Sequence, residues 1–305
     1  VLDLSSIRSI RVYGVNVAWN PVLGQWRGDW DFTANASNQG LIDLSALQVV
    51  YGADPNNYSG GDDWFSFNAR SGGALKFGNL SVYQRTRFSA TDPNSMLDFE
   101  GLYLRLPGSL TLGPSSLLRI RGDFRFENTD ANTITADLAT LLMDGAVPQR
   151  LEVGGRDVGP APAALQGNFG FGQLMVGSIT QQSIVRLVDT LNNGGRGAGG
   201  EPESLYLFGL GSQGLRLFSR SCLILGNLNC YATRNSQMVN LRSLIPAGTN
   251  SVAFDGGFIA NYGGPSITNM TPSVAVTPTV SSVDISFNIP IQAASFTADD
   301  VQISG

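Results

Sequence analysis

Apolar residues recur at every second position along much of this chain, in short segments joined by tight turns. Clear examples are LKFGNLSVY (residues 75–83), LYLRLPGSLTL (102–112), LLRIRGDFRF (117–126) and LILGNLNCY (223–231). A period of two places the apolar side chains on one face of a β-strand, and the glycine or proline inside each segment supplies a corner between two strands. The pattern therefore predicts pairs of short strands and few helices.

A strand–turn–strand unit of this size cannot enclose a hydrophobic core by itself. A stack of such units buries a continuous apolar column, which is how solenoids gain their stability. We therefore predict an all-β fold, a right-handed parallel β-solenoid (β-helix) over residues 1–264, with Leu, Val, Ile and Phe stacked inside. A β-sandwich or an antiparallel barrel would also contain many short strands, but the short turns and the number of strand pairs favour the solenoid.

Residues 133–145 (TITADLATLLMDG) follow a different pattern. Ile134, Leu138, Leu141 and Leu142 recur at helical spacing, and a glycine such as the one that ends this segment commonly follows the last turn of a helix. Local rules alone therefore predict an amphipathic helix here, in conflict with the strand pattern on either side.

The pattern changes again near residue 263. A Gly-Gly-Pro sequence (263–265) is followed by proline-interrupted strands, in which Val283, Ile285 and Phe287 alternate. Prolines of this kind suit strand starts and sheet edges. We predict a domain boundary, with residues 1–264 in the solenoid and residues 265–305 as the incomplete start of a β-sandwich. The chain begins without a methionine or a signal peptide, so we expect a processed or partial piece of a longer protein.

Composition excludes several classes of chemistry. The chain has 305 residues and no histidine, and histidine is the commonest general base and metal ligand near neutral pH. Ser-His-Asp and Cys-His catalysis and histidine-containing zinc sites are therefore excluded. The net charge is −5 and the basic residues are scattered, so no nucleic-acid partner is expected. No apolar run reaches the length of about 18 residues that a membrane-spanning helix needs.

An acidic loop at residues 53–65 (ADPNNYSGGDDWF) is a candidate calcium site. Carboxylate and amide oxygens in a glycine-containing turn are ligands that calcium prefers. The spacing does not match an EF-hand, because Tyr58 stands where an oxygen ligand belongs and no glutamate closes the loop. A solvated turn is the alternative, and we expect no other cofactor. The candidate ligands are Asp54, Asn56, Asp62 and Asp63.

Two carboxylates and two tryptophans lie together in WRGDWDF (residues 26–32). Asp29 and Asp31 are two positions apart, so they share one face of a strand. Carboxylate pairs carry out glycoside hydrolysis, and the indole rings of Trp26 and Trp30 could stack on a sugar. The alternative is a pair of exposed residues in a turn or an edge strand. A passive carbohydrate-binding module would instead use the four tryptophans, Trp19, Trp26, Trp30 and Trp64.

The order of several segments resembles a known family. Residues 110–153, which run from LTLGPSSLLRIRGDFRF through TITADLATLLMDG to RLEV, resemble the filamentous-haemagglutinin-like and autotransporter-like β-solenoid repeats of very large bacterial surface proteins. Residues 267–305 look like the first half of a bacterial Ig-like domain. The resemblance covers roughly residues 102–305. The later rungs of these proteins are similar to residues 168–177, 184–195, 203–210 and 222–238.

The resemblance implies that residues 133–145 form a pair of strands, and we adopt that interpretation over the helix. It also implies a secreted, elongated protein with a structural or adhesive role and no shared catalytic residues. Two cysteines in an exported protein favour a disulfide. Cys222 and Cys230 flank a tight turn at residues 226–227, so we predict that they are bonded to each other. The alternative is two separate core residues.

The expected function is a non-catalytic structural or adhesive segment of a large secreted bacterial cell-surface or extracellular filament protein. Its expected partners are neighbouring copies or adjoining domains of the same large protein, together with surface glycans. An alternative from a different class is a carbohydrate-active or carbohydrate-binding β-helix that uses Asp29, Asp31 and the nearby tryptophans. A groove lined by acidic and basic side chains would favour the enzyme, whereas coplanar exposed tryptophans would favour the binding module.

Overall fold

The computed structural model describes most of the chain between residues 32 and 261 and short pieces on either side. The described residues form short β-strands and two 3-10 turns, at Ala131–Thr133 and Leu241–Leu244, without an α-helix. None of their helical turns has the length and apolar character needed to cross a membrane. The described residues are 2–4, 6, 9–11, 18–20, 25–27, 32–51, 64–83, 85–105, 108–160, 167–211, 213–261, 267–271 and 284–287.

The strands are short because a turn or corner interrupts the chain every few residues. The first fourteen are β1 (Leu2–Asp3), β2 (Ser9–Arg11), β3 (Ala18–Asn20), β4 (Gln25–Arg27), β5 (Phe32–Ala36), β6 (Leu41–Leu44), β7 (Val49–Tyr51), β8 (Phe65–Ala69), β9 (Ala74–Tyr83), β10 (Thr86–Ala90), β11 (Met96–Leu104), β12 (Ser109–Leu112), β13 (Leu117–Ile120) and β14 (Phe124–Phe126). The others are β15 (Ile134–Thr135), β16 (Thr140–Met143), β17 (Gln149–Glu152), β18 (Gln173–Val176), β19 (Ile184–Val188), β20 (Leu205–Leu207), β21 (Leu215–Leu217), β22 (Cys222–Ile224), β23 (Cys230–Arg234), β24 (Gln237–Asn240), β25 (Ser251–Phe254), β26 (Gly257–Ala260), β27 (Ile267–Thr271) and β28 (Asp284–Phe287).

Sixteen of these strands form one large sheet, which consists of two parallel stacks side by side. The first stack runs β1–β6–β9–β11–β13–β16–β18–β21. The second runs β2–β7–β9–β11–β14–β17–β19–β22–β26. The long strands β9 and β11 belong to both stacks, because their first halves pair in one and their second halves in the other.

A third stack is a separate five-stranded parallel sheet in the order β5–β8–β10–β12–β15. Further along the chain, β20 pairs in parallel with β23, and a single bridge joins Phe171 to Leu207 of β20. Successive members of each stack come from successive parts of the sequence, and between β5 and β17 the chain visits the third, first and second stacks in turn.

The prediction that parallel pairing dominates is confirmed. Among the described strands, only the pairs β3–β4, β23–β24, β25–β26 and β27–β28 are antiparallel. The fold is therefore mostly β with long parallel sheets. Within the predicted C-terminal segment (265–305), the description covers the antiparallel pair β27–β28, and the other residues lie outside it.

Residues 133–145 form a pair of strands, as the resemblance implied, and the helix that local spacing predicts is wrong. Leu141 is fully buried and pairs with both Leu118 and Leu174 in the first stack. Leu138 lies in the turn before β16 and is 50% exposed, although an amphipathic helix would have buried it. Pairing with strands on both sides satisfies the backbone of β16 and outweighs the weak local preference for a helix.

The three stacks share one hydrophobic core. Its densest part is a group of four phenylalanines, with Phe67 and Phe88 from the third stack and Phe77 and Phe99 from the first. Rings from the same stack lie nearly parallel, with centroids 5.3 Å apart for Phe67–Phe88 and 4.6 Å apart for Phe77–Phe99. Rings from opposite stacks meet edge to face, with centroids 5.3 to 5.6 Å apart. Both arrangements are favourable for aromatic quadrupoles.

The corner between β16 and β17 depends on a glycine and a buried glutamine. A Cβ atom at Gly145 would lie 1.8 Å from the carbonyl oxygen of Arg121 in the preceding circuit, so only glycine fits. Gln149 is fully buried and accepts a hydrogen bond from the Gly145 N–H at 2.9 Å. Its Nε2 donates to the carbonyl oxygens of Ile120 and Gly122 at 2.9 and 3.0 Å. The side chain thereby fixes one corner on top of the previous one.

At the C-terminal edge of the large sheet, the parallel ladders end in an antiparallel hairpin. Strand β25 folds back on β26, the last strand of the second stack. The turn of this hairpin also covers β21, the last strand of the first stack. There, Gly256 N–H donates to the Leu217 carbonyl at 3.1 Å, and Arg220 N–H donates to the Gly256 carbonyl at 3.0 Å. This edge therefore offers no continuous parallel ladder to a following strand.

We expect Phe88→Ala to lower the free energy of unfolding by about 3–5 kcal/mol, because it opens a cavity between three other rings in a fully packed region. The matched control is Thr111→Ala in the next strand of the third stack, where the side chain is exposed and the expected change is below about 0.5 kcal/mol. Urea unfolding followed by tryptophan fluorescence gives both values. Similar losses in the two variants would contradict the packing described here.

Candidate functional site

The two sites predicted from sequence fall largely outside the described residues. Asp29, Trp30 and Asp31 lie outside them, and so do all four candidate calcium ligands, Asp54, Asn56, Asp62 and Asp63. Trp26 lies in β4 directly opposite Trp19 of β3, where the description covers the backbone only. In the described part of the chain, no group of three or more acidic or cysteine side chains could hold a metal ion.

Trp64 is the one predicted sugar-binding tryptophan whose side chain can be placed. The guanidinium carbon of Arg87 lies over its ring, 3.6 Å from the ring centroid. This distance is well within the range of a cation–π contact. One face of the Trp64 ring is therefore covered by an arginine from the next strand of the third stack and is not an open platform for a sugar.

The predicted disulfide is wrong, because Cys222 and Cys230 are both free thiols. In β22, Leu223 faces the main core, whereas Cys222 faces the other side and packs with Ile224 and Ala260 in a second apolar cluster. Cys230 begins β23 in a different sheet, and its side chain lies in the main core. The tight turn brings the two strands close in sequence, but the alternation of side chains sends the two thiols into different clusters.

A groove of about 550 Å³ opens beside β15 and the end of β20. Three separate parts of the chain form it: the turn around β15, the segment that precedes β18, and the two residues after β20. Its walls combine apolar side chains, uncharged polar side chains and glycine backbone. The lining residues are Ala131, Asn132, Ile134, Thr135, Ala136, Asp137, Leu138, Gly167, Asn168, Gly170, Phe208 and Gly209.

Phe208 forms the aromatic wall of this groove. Its backbone N–H donates to the Phe171 carbonyl at 2.8 Å, which fixes the residue beside the preceding circuit. Its ring lies nearly parallel to that of Tyr206, with centroids 6.5 Å apart and an angle of 17°. A Cβ atom at Gly170 would lie 2.5 Å from the ring. The glycine therefore lets the ring rest directly on the backbone, and half-buried Phe208 is held in one place.

The opposite wall carries short polar side chains. Asn132, Thr135 and Asp137 are exposed around β15, and Leu138 follows them. Asn168 is held more firmly, because its Oδ1 accepts from the N–H of Arg156 at 2.8 Å and its Nδ2 donates to the carbonyl of the same residue at 2.9 Å. Asp137 is the one charged side chain among the described residues that line the groove, so these residues do not supply the carboxylate pair that glycoside hydrolysis requires.

Two tyrosines and a carboxylate hold the loop that begins next to the groove. The ring of Tyr231 stacks on that of Tyr206 at 5.0 Å between centroids. Asp157 accepts hydrogen bonds from the Tyr231 hydroxyl at 2.7 Å and from Asn229 Nδ2 at 2.6 Å. Partial burial acts to raise the pKa of Asp157, but these hydrogen bonds and one from the Gly159 N–H hold it below its ordinary value. Asp157 is therefore ionised and anchors the loop.

Glu203 anchors a second, glycine-rich loop between β19 and β20. Its side chain is fully buried, and its Oε1 accepts from the N–H groups of Asn193 and Gly195 at 2.9 and 2.7 Å. Among the described residues, Oε2 of Glu203 has no hydrogen-bond partner. Burial is the largest cause that raises the pKa of Glu203, and Asp189 also raises it, whereas the two N–H groups and Arg196 lower it; the net result is a pKa of about 7. This carboxyl group is therefore able to bind a proton near neutral pH.

Comparisons of the chain with protein-family models, with curated proteins and with solved structures give no match. Function is therefore inferred from the sequence and from the geometry of these surfaces.

The sequence patterns did not predict this groove, although the sequence contains one signal for it. In residues 203–210 (ESLYLFGL), Leu205 and Leu207 face the core, and the alternate positions are the aromatic residues Tyr206 and Phe208. A strand with aromatic residues on its outer face indicates a surface that contacts something other than water. Only the fold shows that this surface meets the turn around β15.

We expect both cysteines to be counted as free thiols by a thiol reagent when no reductant is added. Burial raises the pKa of Cys222 to about 11 and that of Cys230 still higher, so neither forms the reactive thiolate in the native state. A thiol reagent should label two groups per chain in strong denaturant and react far more slowly in buffer. Reductant should leave the unfolding midpoint unchanged. Fewer than two thiols in denaturant without reductant would contradict the free state.

We expect the Glu203 side chain to make stability fall as pH rises from about 5 to 7. The folded state holds this proton up to a pKa of about 7, whereas an unfolded glutamic acid releases it near pH 4.3. Between these values the folded state binds more protons, so the free energy of unfolding decreases with pH. Glu203→Gln should flatten this slope in urea unfolding at pH 5 to 8.

The matched control for this experiment is Glu201→Gln, since Glu201 is exposed in the same loop. The lowered pKa values of Asp43 and Asp157 act in the opposite direction, but only at more acidic pH. The same slope in the wild type and in Glu203→Gln would show that Glu203 is not the group that titrates.

Proposed function

We propose that this chain is a non-catalytic structural or adhesive segment of a large secreted bacterial cell-surface or extracellular filament protein. The observation that carries the proposal is the parallel stacking, in which each circuit of the chain extends the ladders of the circuit before it. A fold of this kind becomes longer along one axis as circuits are added, so the resulting segment is long and stiff.

The finer form of the fold within this proposal is a right-handed parallel β-solenoid over residues 1–264, followed from residue 265 by the start of an Ig-like domain. Three stacks that share one core support the solenoid. The handedness follows the strong preference for right-handed crossovers between parallel strands. The antiparallel pair β27–β28 suits the first strands of an Ig-like sandwich.

Polar contacts on the outer face of the first stack also connect neighbouring circuits, which supports a stiff segment. Lys76 pairs with Asp43 in the strand below it at 3.4 Å. Arg119 pairs with Asp144 at 2.6 Å, and Arg121 with Asp98 at 2.7 Å. The arginines are partly exposed, so each pair contributes little by itself. Lys76 and Asp43 face each other in the ladder, whereas the two arginine pairs join positions that are offset along the strands, so all three pairs connect one strand to the next.

The non-catalytic part of the proposal is supported by the absence of histidine from the sequence and by the presence of one charged side chain, Asp137, among the described residues that line the groove. Among the proposed partners, the antiparallel hairpin at the C-terminal edge favours adjoining domains of the same chain over strand addition by a neighbouring copy at that edge. The alternative enzyme or binding module would use Asp29, Asp31, Trp26 and Trp30, whose side chains lie outside the description.

Antibodies raised against the purified chain test the location and role together. We expect them to label intact cells of the source organism, or filaments shed from them, and external protease to remove the label. Antibodies against a cytoplasmic enzyme serve as the control and should label only permeabilised cells. Labelling that requires permeabilisation would overturn the proposal.

A further inference from the structure

We propose that the groove beside Phe208 binds a linear, uncharged glycan chain. The proposal rests on the adhesive role proposed above only for the source of the glycan. The binding itself follows from the shape and chemistry of the groove.

The size and floor of the groove suit a short stretch of a polymer. A volume of about 550 Å³ lies within the usual range for small-molecule sites. Gly170 lets the Phe208 ring rest directly on the backbone of the groove, which keeps the ring in place. The lining comes from three neighbouring segments, around residues 135, 168 and 208, so the groove crosses more than one strand position.

The aromatic wall provides the apolar half of sugar recognition. Phe208 is half-buried, and its contacts with Tyr206 and Gly170 hold the ring in one orientation. A pyranose ring has an apolar C–H face, and burying that face against a fixed aromatic ring gains hydrophobic free energy at little cost in side-chain entropy. Leu138, 50% exposed on the opposite wall, adds a second apolar surface.

The polar wall provides the other half and sets the charge of the ligand. Asn132 and Thr135 are exposed and carry both donor and acceptor groups, which match sugar hydroxyls. Asn168 is held in place by its two hydrogen bonds to the Arg156 backbone. Within the described lining, Asp137 is the one charged side chain and is negative, so a polyanion would be repelled. An uncharged chain fits both walls.

The third stack gives the direction in which a longer chain would lie. A row of polar side chains, which we call the polar file, occupies equivalent positions in successive strands on the outer face of this stack. Thr135, which lines the groove, is its last member. The members lie about 4.8 Å apart, the spacing of neighbouring strands, and hydrogen bonds of 3.0 and 2.6 Å join the first three. The polar file consists of Asn35, Asn68, Ser89, Thr111 and Thr135.

Calorimetric titration of the full chain tests the proposal. The probes are soluble linear oligosaccharides of glucose, mannose, xylose and galactose with two to eight units. Oligogalacturonates and single-stranded DNA are the charged comparisons. We expect at least one uncharged series to bind, with affinity rising with chain length, and the charged probes to bind at least about tenfold more weakly.

Two variants locate the site. Phe208→Ala removes the aromatic wall, and Thr135→Arg fills the groove from an exposed position that does not disturb the core. Each should weaken binding at least about tenfold. Thr111→Arg, one strand along the polar file, should weaken binding of the longer oligosaccharides and spare the shortest. Arg186→Ala on the exposed outer face of the second stack is the control and should bind like the wild type.

The proposal is overturned if no uncharged series binds at millimolar concentration, if a charged probe binds more tightly than every uncharged one, or if Thr135→Arg binds like the wild type. Because these measurements use the purified chain, their failure leaves the antibody experiment on intact cells unaffected. A chain that binds glycans but is absent from the cell surface would instead overturn the proposed location.

Discussion

In-register pairing of parallel strands is the constraint on which the whole structure depends. One face of a strand can be buried only if the strands above and below it keep the same alternation of inward and outward side chains. A shift of one residue would move every core side chain to the outside. The four stacked phenylalanines show the consequence. Phe67 lies over Phe88, and Phe77 over Phe99, since their strands pair at those positions. The edge-to-face contacts between the stacks then follow.

The same register controls the outer surface. Outward side chains of neighbouring strands also lie one above the other, so a charge placed on one strand needs an opposite charge beside it. Asp43 beside Lys76 meets this requirement, and Asp98 faces Arg119 in the ladder while it pairs with Arg121 at the corner. Further along the first stack the equivalent positions become apolar, at Leu142 and Met175. The outer surface therefore changes character along the axis while the core does not.

Loops that leave the stacks lack the hydrogen bonds of the strand ladders. Buried or partly buried polar side chains hold these loops in place instead. Glu203 holds the glycine-rich loop through two backbone N–H groups, and Asp157 is held by Tyr231 and Asn229. These contacts tie irregular segments to regular strands, so the groove next to them has fixed walls. Their cost is visible in the buried oxygens of Asn128 and Asn193, which have no hydrogen-bond partner among the described residues.

The sequence by itself determined the strand pairs, the dominance of β structure and the exclusion of histidine chemistry, because alternation and composition are local properties. It did not determine residues 133–145, where spacing favours a helix and only pairing with β13 and β18 decides for strands. It also placed Cys222 and Cys230 together, although they face different clusters. The groove joins residues near 135, 168 and 208. Which residues become neighbours depends on how many residues separate a strand from the strand with which it pairs. The irregular loops make this number vary, so the folded structure is needed to know it.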